Sequence, residues 1–204
     1  MISLDKEYCI NWFKTNYSLL TGNLLGSGAD GCVYALNNKA VKFSVLYNLF
    51  NNLDTEINNI LYILKHLINK KNNLYVNIYD YGIIKRDYRN TINGPQEYIL
   101  YFYIMDKLNP ITEDEKKVFH SIISHEDRNL NKNYSEEKLK KVLDGLARGL
   151  DFDKEKIMLF YRKSKCSSLQ QSDIHPRNIM KDSDNNFRFI DIDRVNLLQT
   201  GEDA

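Results

Sequence analysis

The chain has 204 residues, enough for one domain or for one domain built of two lobes, and 43% of them are apolar, so a sizeable core is possible. Its 28 basic and 27 acidic residues nearly cancel to a net charge of +1, which excludes a broad polyanion-binding surface and makes nucleic acid an unexpected partner. Cys9, Cys32 and Cys166 have no paired spacing, as expected of reduced thiols rather than of a disulfide frame or zinc site. No run reaches the ~18 apolar residues of a membrane span, and the N-terminus lacks the unbroken apolar stretch of a signal peptide. A cytoplasmic location is therefore expected.

Residues 5–20 carry an interrupted apolar pattern (Cys9, Ile10, Trp12, Phe13, Tyr17) that predicts a short packing helix. "NLLGSGADGCVYAL", residues 23–36, reads as strand, glycine turn and strand. "NNKAVKF" then turns at Asn37-Asn38 and continues as a third strand. Over 45–69 the period becomes helical, with Leu53, Ile57, Ile60, Leu61, Leu64, Leu67 and Ile68 recurring. "LYVNIYDYGIIKRDY" and "EYILYFYIMDKL" read as strands, separated by a loop "NTINGPQ".

The second half is helical. "TEDEKKVFHSIISHE", "SEEKLKKVLDGLARGL" and "DKEKIMLFYRKSKCSSL" each begin at a capping residue (Thr112, Ser135, Asp153) with acids in the first turn. The expected class is α+β and bilobal: a β-rich first lobe with an N-terminal helical extension over 1–105, then a hinge and a reduced helical lobe over 106–204. "DKLNPIT", 106–112, is the expected hinge.

Gly26, Gly28 and Gly31 in "GSGADGCV" fit G-x-G-x-x-G with Val33 following. Such a loop lets backbone N–H groups approach phosphate oxygens without Cβ clashes. Because a strand rather than a helix follows, the pattern favours a hairpin lid over a nucleotide. A plain glycine-rich hairpin is the alternative. Lys42 follows on a strand, and Glu56 shares a helix face with Ile60, Ile63 and Leu67. An acid on an apolar face needs a partner, and Lys42 is the expected one, unless Glu56 is simply solvated.

In "SDIHPRNIMKDSDNNFRFIDIDRV", residues 172–195, Asn178 follows Asp173 by five positions and Asp191 ends an apolar run. "NIM" and "FRFIDI" predict two short strands around "KDSDNN" that bring Asn178 and Asp191 side by side. An amide and a carboxylate oxygen suit Mg²⁺, which binds few protein groups and keeps water and phosphate oxygens. Asp173 is placed to take the proton of an attacking hydroxyl. A polar hairpin with ordinary turn acids is the alternative.

Taken in order over residues 24–195, the glycine loop, "AVK", the helix glutamate, "YIMDKL", D-x-x-x-x-N and the final aspartate resemble the protein-kinase-like superfamily. The resemblance implies that Gly26, Gly28 and Gly31 cover ATP, with Val33 and Ala40 also at the nucleotide. It implies that Lys42 contacts phosphates and pairs with Glu56. Met105 would precede the hinge, and the backbone of Asp106 and Leu108 would take adenine. Asp173 would be the catalytic aspartate, and Asn178 and Asp191 the Mg²⁺ ligands, with Asp193 a weaker substitute for Asp191.

The sequence departs from the family at four places. His-Arg-Asp reads Gln171-Ser172-Asp173; Asp-Phe-Gly reads Asp191-Ile192-Asp193; His175 stands where Ser/Thr kinases have lysine; and thirteen residues follow Asp191. The expectation is a minimal ATP-dependent Ser/Thr protein kinase without an activation segment, regulated by a partner. It is similar in plan to secreted effector kinases of the OspG type and to phage or viral minikinases. Ubiquitin-conjugate binding is implied by that analogy only, and the location would then be a host cytoplasm. Two alternatives stand beside it: a pseudokinase-like binding scaffold, and a small-molecule phosphotransferase, since "DIHPRN" resembles the loop of aminoglycoside and choline phosphotransferases.

Overall fold

The structure is a computed structural model and describes residues 6–17, 22–28, 31–48, 52–69, 74–92, 94–124, 135–167, 169–171 and 174–197. The class is α+β, as expected. The chain divides into two compact units: Met1–Lys71 with Asn77–Lys107, and Asn72–Val76 with Leu108–Ala204. The expected boundary lay between residues 105 and 106.

The first unit is built on a five-stranded antiparallel sheet. Its strands are β1 (Leu24–Ser27), β2 (Gly31–Leu36), β3 (Lys39–Tyr47), β4 (Ile78–Thr91) and β5 (Gly94–Asp106), in spatial order β1-β2-β3-β5-β4. Alternation along β2 shows why the sheet has two different faces: Cys32, Tyr34 and Leu36 are buried, while Gly31, Val33 and Ala35 are only partly so. The first set joins Val41, Phe43, Val45, Leu100, Phe102 and Ile104 in one apolar cluster, which α1 (Lys6–Tyr17) covers with Cys9 and Phe13. Phe13 stacks on Tyr17 at 4.7 Å between ring centroids and meets Phe43 and Phe102 edge-on at 5.7 and 5.6 Å. The Tyr17 hydroxyl donates to Asp80 Oδ2 at 3.1 Å. The predicted N-terminal helix is thus present, and its partner is this sheet face.

The second helix, α2 (Leu53–Asn69), packs on β3, β4 and β5. It begins eight residues later than the start of its periodic region because Val45–Tyr47 complete β3, paired with Leu100, Ile99 and Tyr98. The anticipated loop "NTINGPQ" is mostly strand. Asn90 pairs with Pro95 and Thr91 with Gly94; the Thr91 hydroxyl donates to Gly94 O at 2.7 Å, and Gly94 takes φ +101°, which glycine adopts without strain. Leu74–Val76, read from sequence as the start of β4, instead belongs to the second unit. Phe189 N–H donates to Leu74 O and Val76 N–H donates to Phe189 O, both at 2.9 Å.

In the second unit α3 (Glu113–Ser124), α4 (Glu136–Leu146) and α5 (Lys154–Lys165) start at the expected caps. Ser135 accepts from Lys138 N–H and Asp153 from Lys156 N–H. Thr112 and Glu115 form a reciprocal capping box: Glu115 N–H donates to the Thr112 hydroxyl and Thr112 N–H to Glu115 Oε2. Short strands follow: β6 (Asn109–Pro110), β7 (Leu169–Gln171), β8 (Ile179–Lys181), β9 (Phe187–Phe189) and β10 (Val195–Leu197), paired β6-β8-β9 and β7-β10. The β8–β9 hairpin is the one the sequence predicts; β6, β7 and β10 are not anticipated by it. Phe119, Phe160, Phe187, Phe189 and Tyr75 form the aromatic core of this unit.

Candidate functional site

Strand register brings one set of sequence-selected residues together in the first unit. Lys42 lies abreast of Val33 on one side and Tyr103 on the other, and Ala40 lies abreast of Ala35 and Met105. Side chains two apart on a strand share a face, so Val33, Ala40, Lys42 and Met105 all lie on the face opposite the α1-covered cluster. Ala40 and Met105 are buried. Lys42 Nζ lies 5.6 Å from the Tyr103 ring centroid, within cation–π range. This face therefore places the Lys42 cation beside apolar side chains.

Glu56 sits in the first turn of α2, partly buried, at the N-terminal end of a stripe in which Ile60, Ile63 and Leu67 are buried. Nearby, Arg86 pairs with Asp54 and Glu97, and Lys85 with Asp87.

The three glycines are not equivalent. A Cβ on Gly31 would stand 2.4 Å from Phe43 O, so sheet packing alone demands glycine there. At Gly26 and Gly28 an added Cβ meets nothing within 4 Å. Gly31→Ala is accordingly expected to destabilise the first unit by about 1–3 kcal/mol through forced backbone movement, whereas Gly28→Ala leaves the denaturation midpoint nearly unchanged. Urea titrations of the two variants check this.

At the far end of β5, Asp106 is held firmly. Its Oδ1 accepts from the Tyr79 hydroxyl at 2.5 Å and its Oδ2 from Asn77 Nδ2 at 2.6 Å, while its N–H donates to Asn77 O at 3.2 Å. The hydrogen bond to Asp106, with burial, pushes the Tyr79 phenol up to about 12. Sequence reasoning missed Asn77 and Tyr79. Neither belongs to a recognisable motif, and their partner is 27–29 positions away.

In the second unit, Asp173 lies outside the described residues. Asn178 and Asp191 flank the open end of the β8–β9 ladder, where Ile190 N–H donates to Asn178 O at 3.0 Å, one step beyond the Ile179–Phe189 pair. Both residues are partly buried. Gln171, which stands at the family's histidine position, is buried, and its Nε2 donates to Asp191 O at 2.9 Å. This amide anchors the segment that carries Asp191. His175 caps a short 3₁₀ turn, with its Nδ1 accepting from Arg177 N–H at 3.1 Å. Leu108, the other expected adenine contact, begins the longer of this unit's two segments and is partly buried.

The turn between β8 and β9 is stabilised electrostatically. Asp182 accepts from Asp184 N–H, Asn186 N–H and the Arg188 guanidinium. Burial opposes its ionisation, but the Asn186 N–H and Arg188 prevail and hold its carboxyl below its ordinary value of 3.8. A depressed folded-state value gives stability that is present above 3.8 and is lost as pH falls through the lower folded value. Asp182→Asn is therefore expected to flatten the acid limb of the stability profile, read as melting temperature between about pH 2 and 6.

The donor set fits Mg²⁺. Among the described residues there is no cluster of three or more His, Cys, Asp and Glu able to hold a metal. An amide and a carboxylate on adjoining backbone suit an ion whose remaining ligands are water and phosphate. No helix of the described residues is long and apolar enough to cross a membrane.

The order of elements completes the comparison begun in the sequence. A glycine-turn hairpin leads into a lysine-bearing strand, a helix and two further strands of the same antiparallel sheet. A helical unit follows, ending in a hairpin that carries Asn178 and Asp191. This order of elements is the one implied by the sequence resemblance to the protein-kinase-like superfamily. No family model and no curated protein matches the chain. Solved structures do match. The ROP18 kinase domain in complex with AMP-PNP and sucrose is 15% identical, with 88% of this chain and 52% of that chain covered and a TM-score of 0.48. WbdD is 14% identical, with 88% and 34% covered and a TM-score of 0.46. The chain thus spans about half and about a third of the lengths of these two structures.

Proposed function

We propose that this kinase-like chain is an ATP- and Mg²⁺-dependent phosphotransferase, a minimal protein kinase that phosphorylates Ser or Thr hydroxyls under the control of a partner protein. The observation that carries the reading is the common face of Val33, Ala40, Lys42 and Met105. There Lys42 is the cation for the nucleotide's phosphates, and the apolar groups are the floor for its base. Glu56 orients Lys42 when nucleotide is bound, and the backbone of Asp106 and Leu108 takes the adenine edge. Asn178 and Asp191 would hold Mg²⁺, which would supply charge neutralisation at the phosphates. Asp173 accepts the proton of the acceptor hydroxyl as its oxygen bonds to the γ-phosphorus; the bond from that phosphorus to the β–γ bridging oxygen breaks, and ADP leaves.

The test is transfer of labelled γ-phosphate from Mg-ATP to a generic protein substrate, with and without cell extract, by wild type and Asp173→Ala. Label dependent on Asp173 supports the kinase reading, and dependence on extract supports an activating partner. Nucleotide binding without transfer under every condition would favour a binding scaffold instead. Transfer only to sugars, choline or aminoglycosides would favour a small-molecule enzyme.

A further inference from the structure

The chain crosses between the two units on either side of Asn77–Lys107, at 76/77 and at 107/108. The first-unit ends of these two crossings are tied to each other. Asn77 engages Asp106 twice, accepting from its N–H through the backbone carbonyl and donating to Oδ2 through Nδ2; Tyr79 donates to the remaining carboxylate oxygen. Lys39, opposite Asp106 in the β3–β5 register, sits with Nζ 3.5 Å from the Tyr79 ring centroid and restrains that ring. Both carboxylate oxygens and the N–H of Asp106 are thereby engaged. This fixes the residue's backbone and side chain, and so the direction in which the next peptide leaves the sheet.

A structural reason alone does not require this arrangement. The carboxylate is only partly buried and could be solvated, and Tyr79 is 45% exposed, so its ring contributes little to the core. What the clasp does achieve is orientation. A backbone group that must meet a purine edge within hydrogen-bond tolerance loses most of the interaction if its peptide plane tilts.

We propose that Asn77 and Tyr79 are positioning residues for the base specificity of the nucleotide site, acting through Asp106 rather than touching nucleotide. The inference rests on the nucleotide-binding reading above. It makes a prediction that a merely structural role does not: loosening the clasp erodes discrimination between purines more than it erodes binding of the triphosphate.

The experiment is calorimetric titration of the full chain with Mg-ATP and, separately, Mg-ITP, whose purine carries an oxo group where adenine carries an amino group. Wild type, Tyr79→Phe and Asn77→Ala are compared, with melting temperatures recorded for each. Tyr79→Phe keeps the ring beside Lys39 and removes only the donor, so it guards against a folding defect in Asn77→Ala. Wild type is expected to prefer ATP, and each variant to narrow the ATP-to-ITP affinity ratio by about fivefold, the effect of one lost hydrogen bond. ATP and ITP affinities falling in parallel, or a ratio unchanged in Tyr79→Phe, overturns the positioning role. A wild type that binds both nucleotides equally overturns it as well. Binding of neither nucleotide by wild type overturns the nucleotide reading itself.

Discussion

On the proposed reading of Asp191 as a Mg²⁺ ligand, replacing it by alanine is expected to lower phosphate transfer about a thousandfold, because a metal ion at the phosphates would supply several kcal/mol of transition-state stabilisation and each 1.36 kcal/mol is tenfold in rate. The backbone beside Asp191 has anchors of its own: Gln171 Nε2 donates to the Asp191 carbonyl, and Ile190 N–H donates to Asn178 O. Initial rates across a Mg²⁺ titration check this, with the variant losing its Mg²⁺ response as well as its rate. A full rate in Asp191→Ala with a collapsed rate in Asp193→Ala would move the metal to Asp193.

Phe13→Ala is expected to cost about 3–5 kcal/mol, the usual range for emptying a buried aromatic site. Phe13 is 0% exposed and touches Tyr17, Phe43 and Phe102, so the cavity would open at the centre of the cluster between α1 and the sheet. A twelve-residue helix is marginal alone, so α1 depends on that packing and should come loose with it. Trp12, the single tryptophan of the chain, lies 5.6 Å from Phe102, which makes its fluorescence during urea denaturation a direct report of α1 docking. A midpoint unchanged from wild type would mean that α1 contributes nothing to the sheet's stability.

The contrast between these two positions shows what can be read from residue order. Asn178 and Asp191 are legible because the thirteen-residue interval contains its own explanation: two short apolar runs around a turn rich in Asp and Asn, which can fold only as a tight hairpin. The helix starts at Thr112, Ser135 and Asp153 are legible for the same reason, since a cap and the amide it satisfies are three residues apart. The split of residues 74–88 is not legible. Leu74–Val76 and Ile78 onward have the same β-forming composition, and only Phe189, more than a hundred positions later, takes the first piece into another unit. The loop at 90–96 is misread because Asn, Gly and Pro signal a turn wherever they occur, while the cross-strand pairs that extend the ladder into this stretch depend on register.

Composition, period and local spacing thus determined the class, the helices α1 to α5, the caps at Thr112, Ser135 and Asp153, the strands of the main sheet and the β8–β9 hairpin, and the set of residues on which a nucleotide reading rests. These are properties of segments a few residues to a few turns long, where side-chain pattern and backbone preference act directly. Tertiary structure alone decided that α1 covers one face of the sheet and leaves Lys42, Val33, Ala40 and Met105 on the other. It also decided that Gly31 is demanded by Phe43 O whereas Gly26 and Gly28 are not. Gln171 became an anchor for Asp191, and Asn77 and Tyr79 came to hold Asp106, only through contacts between distant strands. Such contacts depend on strand order and register, which follow from how the whole chain buries its apolar surface and not from any one stretch of it.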